Sequence, residues 1–318
     1  MATEERPARN RSILEIASEE MADGQQDFHP CTLPPICYPQ ERATLQVSTN
    51  AKPFLKWAGG KSKIADRIAT FINPTPNATY FEPFLGGASV FFRSAPIRAV
   101  LSDENAALIS TYECVRDKPA EVHESLRLLA GDHSAEHYYA VRSDFNSGLG
   151  SKVDQAARFI YLNKAGFNGI YRVNQQGRYN VPHGNRLRLA LPTLAELMLV
   201  SKALEGAALI NADFELAVAH AVAGDVVYFD PPYPALNGTS FFNHYTADRF
   251  SGSEQQRVAD VAHELRERGC NIVISNADTE EVRALYPGWK TVDIELRRWI
   301  TSAKVKHFVR EVILLSSD

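Results

Sequence analysis

From residue 51 onward the chain alternates short apolar runs with longer stretches of helical periodicity, and few folds accept that alternation. The apolar runs fall at 79–81, 98–101, 207–210, 226–229, 271–275, 291–294 and 309–315. Helical patterns fill 64–72, 104–116, 213–222, 253–268 and 278–285. Strand followed by helix, repeated, predicts an α/β fold: a mainly parallel sheet with helices on both faces. The last run is almost continuously apolar, as a buried strand should be. One stretch breaks the rhythm. Between about 102 and 206 no strand suited to this sheet occurs. Three helical segments occupy 119–164, and a Gly- and Asn-rich loop or hairpin follows over 165–190. An inserted, mainly helical subdomain is the simplest account.

Charge separates the chain further. The net charge of −4 argues against a uniformly basic coat for nucleic acid, but it is unevenly spread. Residues 1–50 hold four basic and eight acidic residues and so carry the whole acidic excess. They also hold Pro30, Pro34, Pro35 and Pro39, and read as a mostly disordered acidic tail with one short amphipathic helix over 11–22. Positive charge gathers elsewhere. Residues 151–190 have seven basic residues against Asp154 alone, and 296–310 have Arg297, Arg298, Lys304, Lys306 and Arg310 with no acid.

No apolar run is long enough to span a membrane, and no secretory signal is apparent at the N-terminus. Cys31, Cys37, Cys114 and Cys270 form no Cys-x-x-Cys pair, so reduced thiols, a cytoplasmic location and no metal site are expected.

Four segments could carry chemistry. Asp230-Pro231-Pro232-Tyr233 directly follows the apolar run at 226–229, and strand C-terminal ends are where open α/β sheets place ligands. Two prolines leave the backbone stiff and short of donors, so a carboxylate, a free carbonyl and an aromatic face stand side by side. That set suits a planar group bearing an exocyclic amine; the plainer reading is a strand ending in a proline turn. Glu82-Pro83-Phe84-Leu85-Gly86-Gly87 also follows a strand, with glycines that admit close backbone approach, although the dinucleotide fingerprint is not met. Asp103, ending the next strand, stands where such sheets place an acid on ribose hydroxyls; it could equally cap the helix that follows.

In Lys56-Trp57-Ala58-Gly59-Gly60-Lys61-Ser62 the Gly-Lys-Ser ending suggests a P-loop. That motif requires glycine where Leu55 stands, so an ATPase is rejected. Finally, the insert carries Asn163-Lys164-Ala165-Gly166-Phe167-Asn168-Gly169-Ile170-Tyr171-Arg172-Val173-Asn174 and then Gly177, Asn180, Val181 and Pro182. Basic, aromatic and amide side chains interleaved on a glycine-hinged loop are what phosphate gripping and base reading require.

Together and in this order, the segments from about Pro53 to Ser316 resemble the Dam-type DNA adenine-N6 methyltransferases of the D12 class. Asp-Pro-Pro-Tyr alone is shared with other amino-methyltransferases. Its combination with the Lys-Trp-Ala-Gly-Gly-Lys segment and the Asn-Gly-x-x-Arg-x-Asn loop is more specific.

The resemblance implies a Rossmann-like, seven-stranded methyltransferase sheet, made of 51–110 and 206–318, that binds S-adenosylmethionine, with 111–205 as an inserted target-recognition subdomain. It implies that Trp57, Lys61, Glu82, Phe84, Gly86, Asp103, Asp213 and Asp230 line the cofactor site. Asp230, Pro231, Pro232 and Tyr233 would be catalytic. Lys56, Asn168, Arg172, Pro182 and Arg186 would face double-stranded DNA. A flipped adenine in a site such as GATC is the implied substrate, and a cytoplasmic monomer of bacterial or phage origin, with or without a cognate restriction endonuclease, is the implied setting.

Two departures from the family pattern, Asn185-Arg186 after the Asn-Val-Pro segment and Thr301-Ser302-Ala303-Lys304 near the C-terminus, touch DNA-facing loops and bear on the recognition sequence. The rival readings are an amino-methyltransferase acting on RNA or on a protein glutamine, and a catalytically inactive DNA-binding homologue. The basic insert favours duplex DNA over the first, and the intact Asp230–Tyr233 motif argues against the second.

Overall fold

The computed structural model describes residues 50–72, 74–233, 250–299 and 306–316. The helix expected at 11–22, Cys31, Cys37 and residues 301–304 fall outside that set, as do the side chains of Arg297, Arg298 and Lys306.

Seven strands form one sheet: β1 (Tyr80–Glu82), β2 (Ala99–Ser102), β3 (Ala207–Ile210), β4 (Val226–Phe229), β5 (Asn271–Ala277), β6 (Lys290–Trp299) and β7 (Lys306–Leu315). Their order is β3-β2-β1-β4-β5-β7-β6. The first five are mutually parallel, and β7 pairs antiparallel with both β5 and β6. All seven strands expected from the apolar runs are present. The last two extend beyond them, because hairpin pairing between β6 and β7 continues through polar residues that no apolar run marks.

The pleat divides the core in two. On β1, Tyr80 packs into one apolar cluster and Phe81 into the other; on β4, Val226 and Tyr228 face the first while Val227 and Phe229 face the second. The second cluster is covered by α8 (Phe214–Val218), α9 (Gly252–Glu267) and α10 (Glu280–Ala284), which contribute Val218, Val258 and Val282.

The first cluster receives every earlier helix. These are α1 (Ala65–Ala69), α2 (Ser89–Ser94), α3 (Ala106–Asp117), α4 (Pro119–Gly131), α5 (Ala135–Ser147), α6 (Lys152–Ala165) and α7 (Leu194–Leu204). Tyr112, Val122, Tyr138, Ile160 and Val200 from the stretch between β2 and β3 join Tyr80 and Tyr228 of the sheet in one cluster. Helix α7 was not among the expected helices. Its start is written locally: Thr193 and Glu196 form a capping box, as Ser151 and Asp154 do for α6. Between α6 and α7 the chain doubles back as a hairpin, with bridges Gly166 to His183 and Val173 to Tyr179.

The topology brings five strand ends to one edge. The C-terminal ends of β1 to β4 deliver Glu82, Asp103, Asn211 and Asp230, β5 places Ser275 beside Asp230, and the strand order reverses between β1 and β4. The opposite edge is tied by Asp225, whose carboxylate accepts from Thr79 N at 2.7 Å and Val222 N at 3.0 Å. Asp225→Ala is expected to lower stability by about 1.5–3 kcal/mol, because two amides lose a charged acceptor. A urea midpoint lowered at constant slope would show it; an unchanged midpoint would refute it.

Candidate active site

Asp230 leaves the end of β4 with 18 % of its side chain exposed, and Lys61, from the turn before α1, is 4 % exposed. Lys61 Nζ lies 2.6 Å from Asp230 Oδ1, donates to Gly59 O at 2.8 Å and stands 4.6 Å from the centre of the Tyr233 ring. Ser275 Oγ donates to the same Oδ1 at 2.9 Å. Burial pushes the Asp230 carboxyl above the usual aspartate range, while Lys61 and then Ser275 act against that shift. Tyr233 OH donates to Glu311 Oε2 at 3.0 Å, which fixes the ring beside the carboxylate. Pro231 is buried and Pro232 exposed; the carbonyl of Pro232 accepts from Gln255 Nε2 at 2.8 Å.

Next to this lies the loop after β1. Gly86 has φ +46°, and a Cβ there would stand 2.6 Å from Trp57 Cδ1, so glycine permits the close approach of the indole. The other face of Trp57 stacks on Tyr171, with centroids 6.0 Å apart and planes 17° apart. Gly86 N donates to Asp103 Oδ2 and Asn105 N to Asp103 Oδ1, both at 3.0 Å. Burial raises the Asp103 carboxyl against these two bonds. The cap of α3 is therefore Asn105, which accepts from Leu108 N at 3.1 Å, and Asp103 is left to shape the loop.

Phe84 stacks on Phe214 at 5.3 Å. Asp213 caps α8 and is held by Arg257 NH2 at 3.0 and 3.1 Å, while the same guanidinium reaches Glu215 and Glu254. Glu82 is buried, accepts from Tyr80 OH at 2.8 Å, and has its carboxyl pushed up to about 8 by burial despite that bond, with the Asp230 charge adding to the rise.

The expected cofactor set thus divides. Trp57, Gly86 and Asp103 are joined around the loop after β1, and Phe84 of the same loop stacks on Phe214, next to Asp213. Glu82 lies beneath, paired within the protein.

The expected DNA-facing residues also converge. The side-chain amide of Asn163 clamps the Lys56 backbone, accepting from Lys56 N and donating to Lys56 O, each at 2.8 Å. It also donates to Gly169 O at 3.1 Å. Lys56 consequently lies against Gly169, where a Cβ would stand 2.6 Å from Lys56 Cδ. Asn168 is exposed with φ 55°, and Phe167 N donates to Pro182 O at 2.9 Å, so Asn168 and Pro182 sit on adjoining strands of the hairpin.

Arg172 donates through Nε to Asn180 Oδ1 at 2.7 Å. Asn146 repeats the clamp on Tyr179, donating to its carbonyl at 2.9 Å and accepting from its amide at 2.7 Å. Lys56 and Lys164 both lie below the usual lysine range, first from burial and then from neighbouring positive charge: Arg186 acts on Lys56, and Lys56 and Arg186 act on Lys164. Three crowded cations make a site that an anion would relieve.

Asn163, Lys164 and Tyr171 lie within the basic loop motif and Ser275 within β5, but the sequence assigned no separate role to any of them, and Asn146 was not singled out.

Comparison with known proteins shows which sequences the chain is similar to. The family model described as D12 class N6 adenine-specific DNA methyltransferase matches residues 57–300. The chain is 36 % identical over 257 residues to the Type II methyltransferase M1.LlaDCHI of Lactococcus lactis subsp. cremoris, covering 78 % of this chain and 89 % of that one. It is 34 % identical over 285 residues to the Type II methyltransferase M.MjaIII of Methanocaldococcus jannaschii, covering 83 % and 99 %. It is 35 % identical over 253 residues to the DNA adenine methylase of Escherichia coli strain K12, covering 79 % and 90 %.

The Glu82 carboxyl yields a test that needs no ligand. Between the ordinary glutamate value of 4.5 and about 8 the folded chain holds a proton that the unfolded chain has lost. Stability therefore falls as pH rises through that window, by about 1.4 kcal/mol for each unit of the shift. Glu82→Gln should flatten the profile of urea midpoints between pH 5 and pH 8, and an identical slope in both proteins would remove this carboxyl as the cause.

Proposed function

This chain belongs to the D12 class of N6 adenine-specific DNA methyltransferases, and from that premise we propose that it methylates adenine at a specific duplex site, with S-adenosylmethionine as donor and GATC as the default target. The observation that carries the reading is the Asp230 carboxylate at the end of β4, anchored by Lys61 and Ser275 and flanked by the Tyr233 ring.

The exocyclic amine of adenine is a poor nucleophile, because its lone pair is delocalised into the ring. In the proposed mechanism Asp230 and the Pro231 carbonyl accept its two hydrogens, which favours a tetrahedral nitrogen with a directed lone pair. The base leaves the duplex to reach them, at a cost of a few kcal/mol, and stacks on Tyr233, which returns roughly 1–3 kcal/mol. Positioning and fixed electrostatics provide the acceleration.

The pocket formed by Trp57, Phe84, Gly86 and Asp103 fits the donor. Gly86 lets the Trp57 indole close one wall, Asp103 offers a carboxylate for hydroxyls, and the Phe84 ring offers an apolar face. Bound there, S-adenosylmethionine supplies an electrophilic methyl group. Lys61 and Asp213 would complete that lining.

The insert, taken as residues 111–205, is the proposed target-recognition subdomain. Its Lys164 and Arg186, crowded by Lys56 from the segment before α1, suit a phosphate, and Arg142, Asn174, Gln176, Arg178 and Asn180 line a cleft of about 300 Å³ beside the hairpin. Arg172 and Lys56 are the proposed base readers, with Asn168 and Pro182 next to them. A monomer working in the cytoplasm, alone or beside a restriction endonuclease, fits this reading.

Expression in a methylation-free host, followed by single-molecule sequencing of modified adenines, tests reaction, base and site together; absence of N6-methyladenine would overturn it. Asp230→Ala is expected to abolish transfer. It also strands Lys61 without its carboxylate, which is expected to cost about 3–5 kcal/mol of stability. Asp230→Asn keeps an acceptor for Lys61 and should lose on the order of a hundredfold or more in kcat while remaining folded; wild-type turnover by either variant refutes the assignment. For Arg172→Ala the expectation is relaxed sequence preference, since a guanine contact is worth about 1–3 kcal/mol of discrimination. Equal weakening on all duplexes would instead make Arg172 a phosphate contact.

A further inference from the structure

Ser275 lies in β5 beside the end of β4, where Phe229 pairs with Ile274, so Asp230 and Ser275 are the next residues along the two chains. The position is 1 % exposed, and Val273 and Ala277, which share its face of β5, are apolar and buried. Packing alone gives no reason for a hydroxyl here.

Its hydrogen bonds supply one. Ser275 Oγ has a single proton and donates it to Asp230 Oδ1 at 2.9 Å. The contact between Ser275 Oγ and Tyr228 OH, at 2.8 Å, must then run from tyrosine to serine. Tyr228 is fully buried, which pushes its hydroxyl well above the ordinary tyrosine range and keeps it protonated as the donor. The result is a one-way chain from Tyr228 to Ser275 to Asp230. Lys61 Nζ approaches the same oxygen, Oδ1, at 2.6 Å. Both anchors therefore fall on one side of the carboxylate, and two of them fix its rotation where one would let it pivot.

We propose that Ser275, supported by Tyr228, is a positioning residue that holds the Asp230 carboxylate with Oδ1 spent inside the protein and Oδ2 turned to the target amine. This rests on the reading of Asp230 as the acceptor of the adenine amine. Lys61 brings charge; Ser275 brings direction. A lysine ammonium can follow the carboxylate through a range of angles, whereas a strand-borne hydroxyl fixed from behind cannot.

The groups facing Asp230 are Lys61 from the turn before α1, Tyr80 and Glu82 from β1, Tyr228 and Tyr233 along and after β4, and Glu311 from β7. Of the contacts on the carboxylate itself, Lys61 and Ser275 favour its charged form and Glu311 opposes it. Removing Ser275 Oγ therefore moves the Asp230 carboxyl further up.

The test uses the full chain, S-adenosylmethionine and a duplex carrying the site mapped by sequencing. Ser275→Ala is expected to lower kcat on the order of tenfold to a hundredfold, the effect of one hydrogen bond to a charged group. KM for S-adenosylmethionine should stay within about twofold, as for an interaction made only at the reacting centre. The acid limb of kcat/KM should move to higher pH, since that limb reports the free enzyme's essential base. Tyr228→Phe should move the limb the same way by less, because it removes the support and keeps the Ser275 donor.

A loss of activity equal at all pH values, or a wild-type kcat in Ser275→Ala, would overturn the assignment. Failure of the wild-type enzyme to methylate adenine N6 in the same assay would instead overturn the reading of the site. Thermal melts of both variants separate a misfolded protein from a mispositioned carboxylate.

Discussion

The ion pair between Lys61 and Asp230 is the contact around which the molecule is arranged. Both groups are mostly withdrawn from water, and either one alone would be expensive to leave there. A pair of this kind adds little net stability, but it dictates position. Lys61 must be brought to the strand ends, so the turn from Lys56 to Ser62 buries Lys61 while Trp57 contacts Gly86 and stacks on Tyr171. The Gly59 carbonyl, the Tyr233 ring and Ser275 then complete a shell that no single strand could provide.

The sheet was legible in the sequence because a strand buried on both faces leaves an unbroken apolar run, and all five parallel strands left one. The ends of β6 and β7 were not, because pairing between neighbouring hairpin strands tolerates polar residues such as Glu295 and His307. Helix α7 carries a capping box at Thr193 and Glu196, yet it follows a proline-containing polar stretch that obscured its start.

At the site, Asp230, Tyr233, Asp103 and Trp57 were readable because they sit at motif positions. The pairings that hold the site together were not. Ser275, Asn163 and Arg257 act across 45, 107 and 44 positions of sequence respectively, and only the folded chain brings those partners together. Asp103 shows the reverse limit. Its position before α3 suits a cap, but Asn105 takes that part, and Asp103 instead binds the amides of Gly86 and Asn105. The helices between β2 and β3 read in sequence as a separate insertion, yet their apolar side chains enter the same cluster as Tyr80 and Tyr228.

The two asparagine clamps have a consequence for how such a protein diverges. Asn163 and Asn146 grip Lys56 and Tyr179 by their backbone amide and carbonyl, groups that every residue but proline possesses. Two amides on α5 and α6 therefore hold the frame without regard to the side chains of Lys56 and Tyr179. On the proposed reading, replacements at 168, 182 and 186 would alter what is read while both clamps stay in place. A lineage can exchange one preference for another by point changes on the rim, while the amides beneath stay as they are.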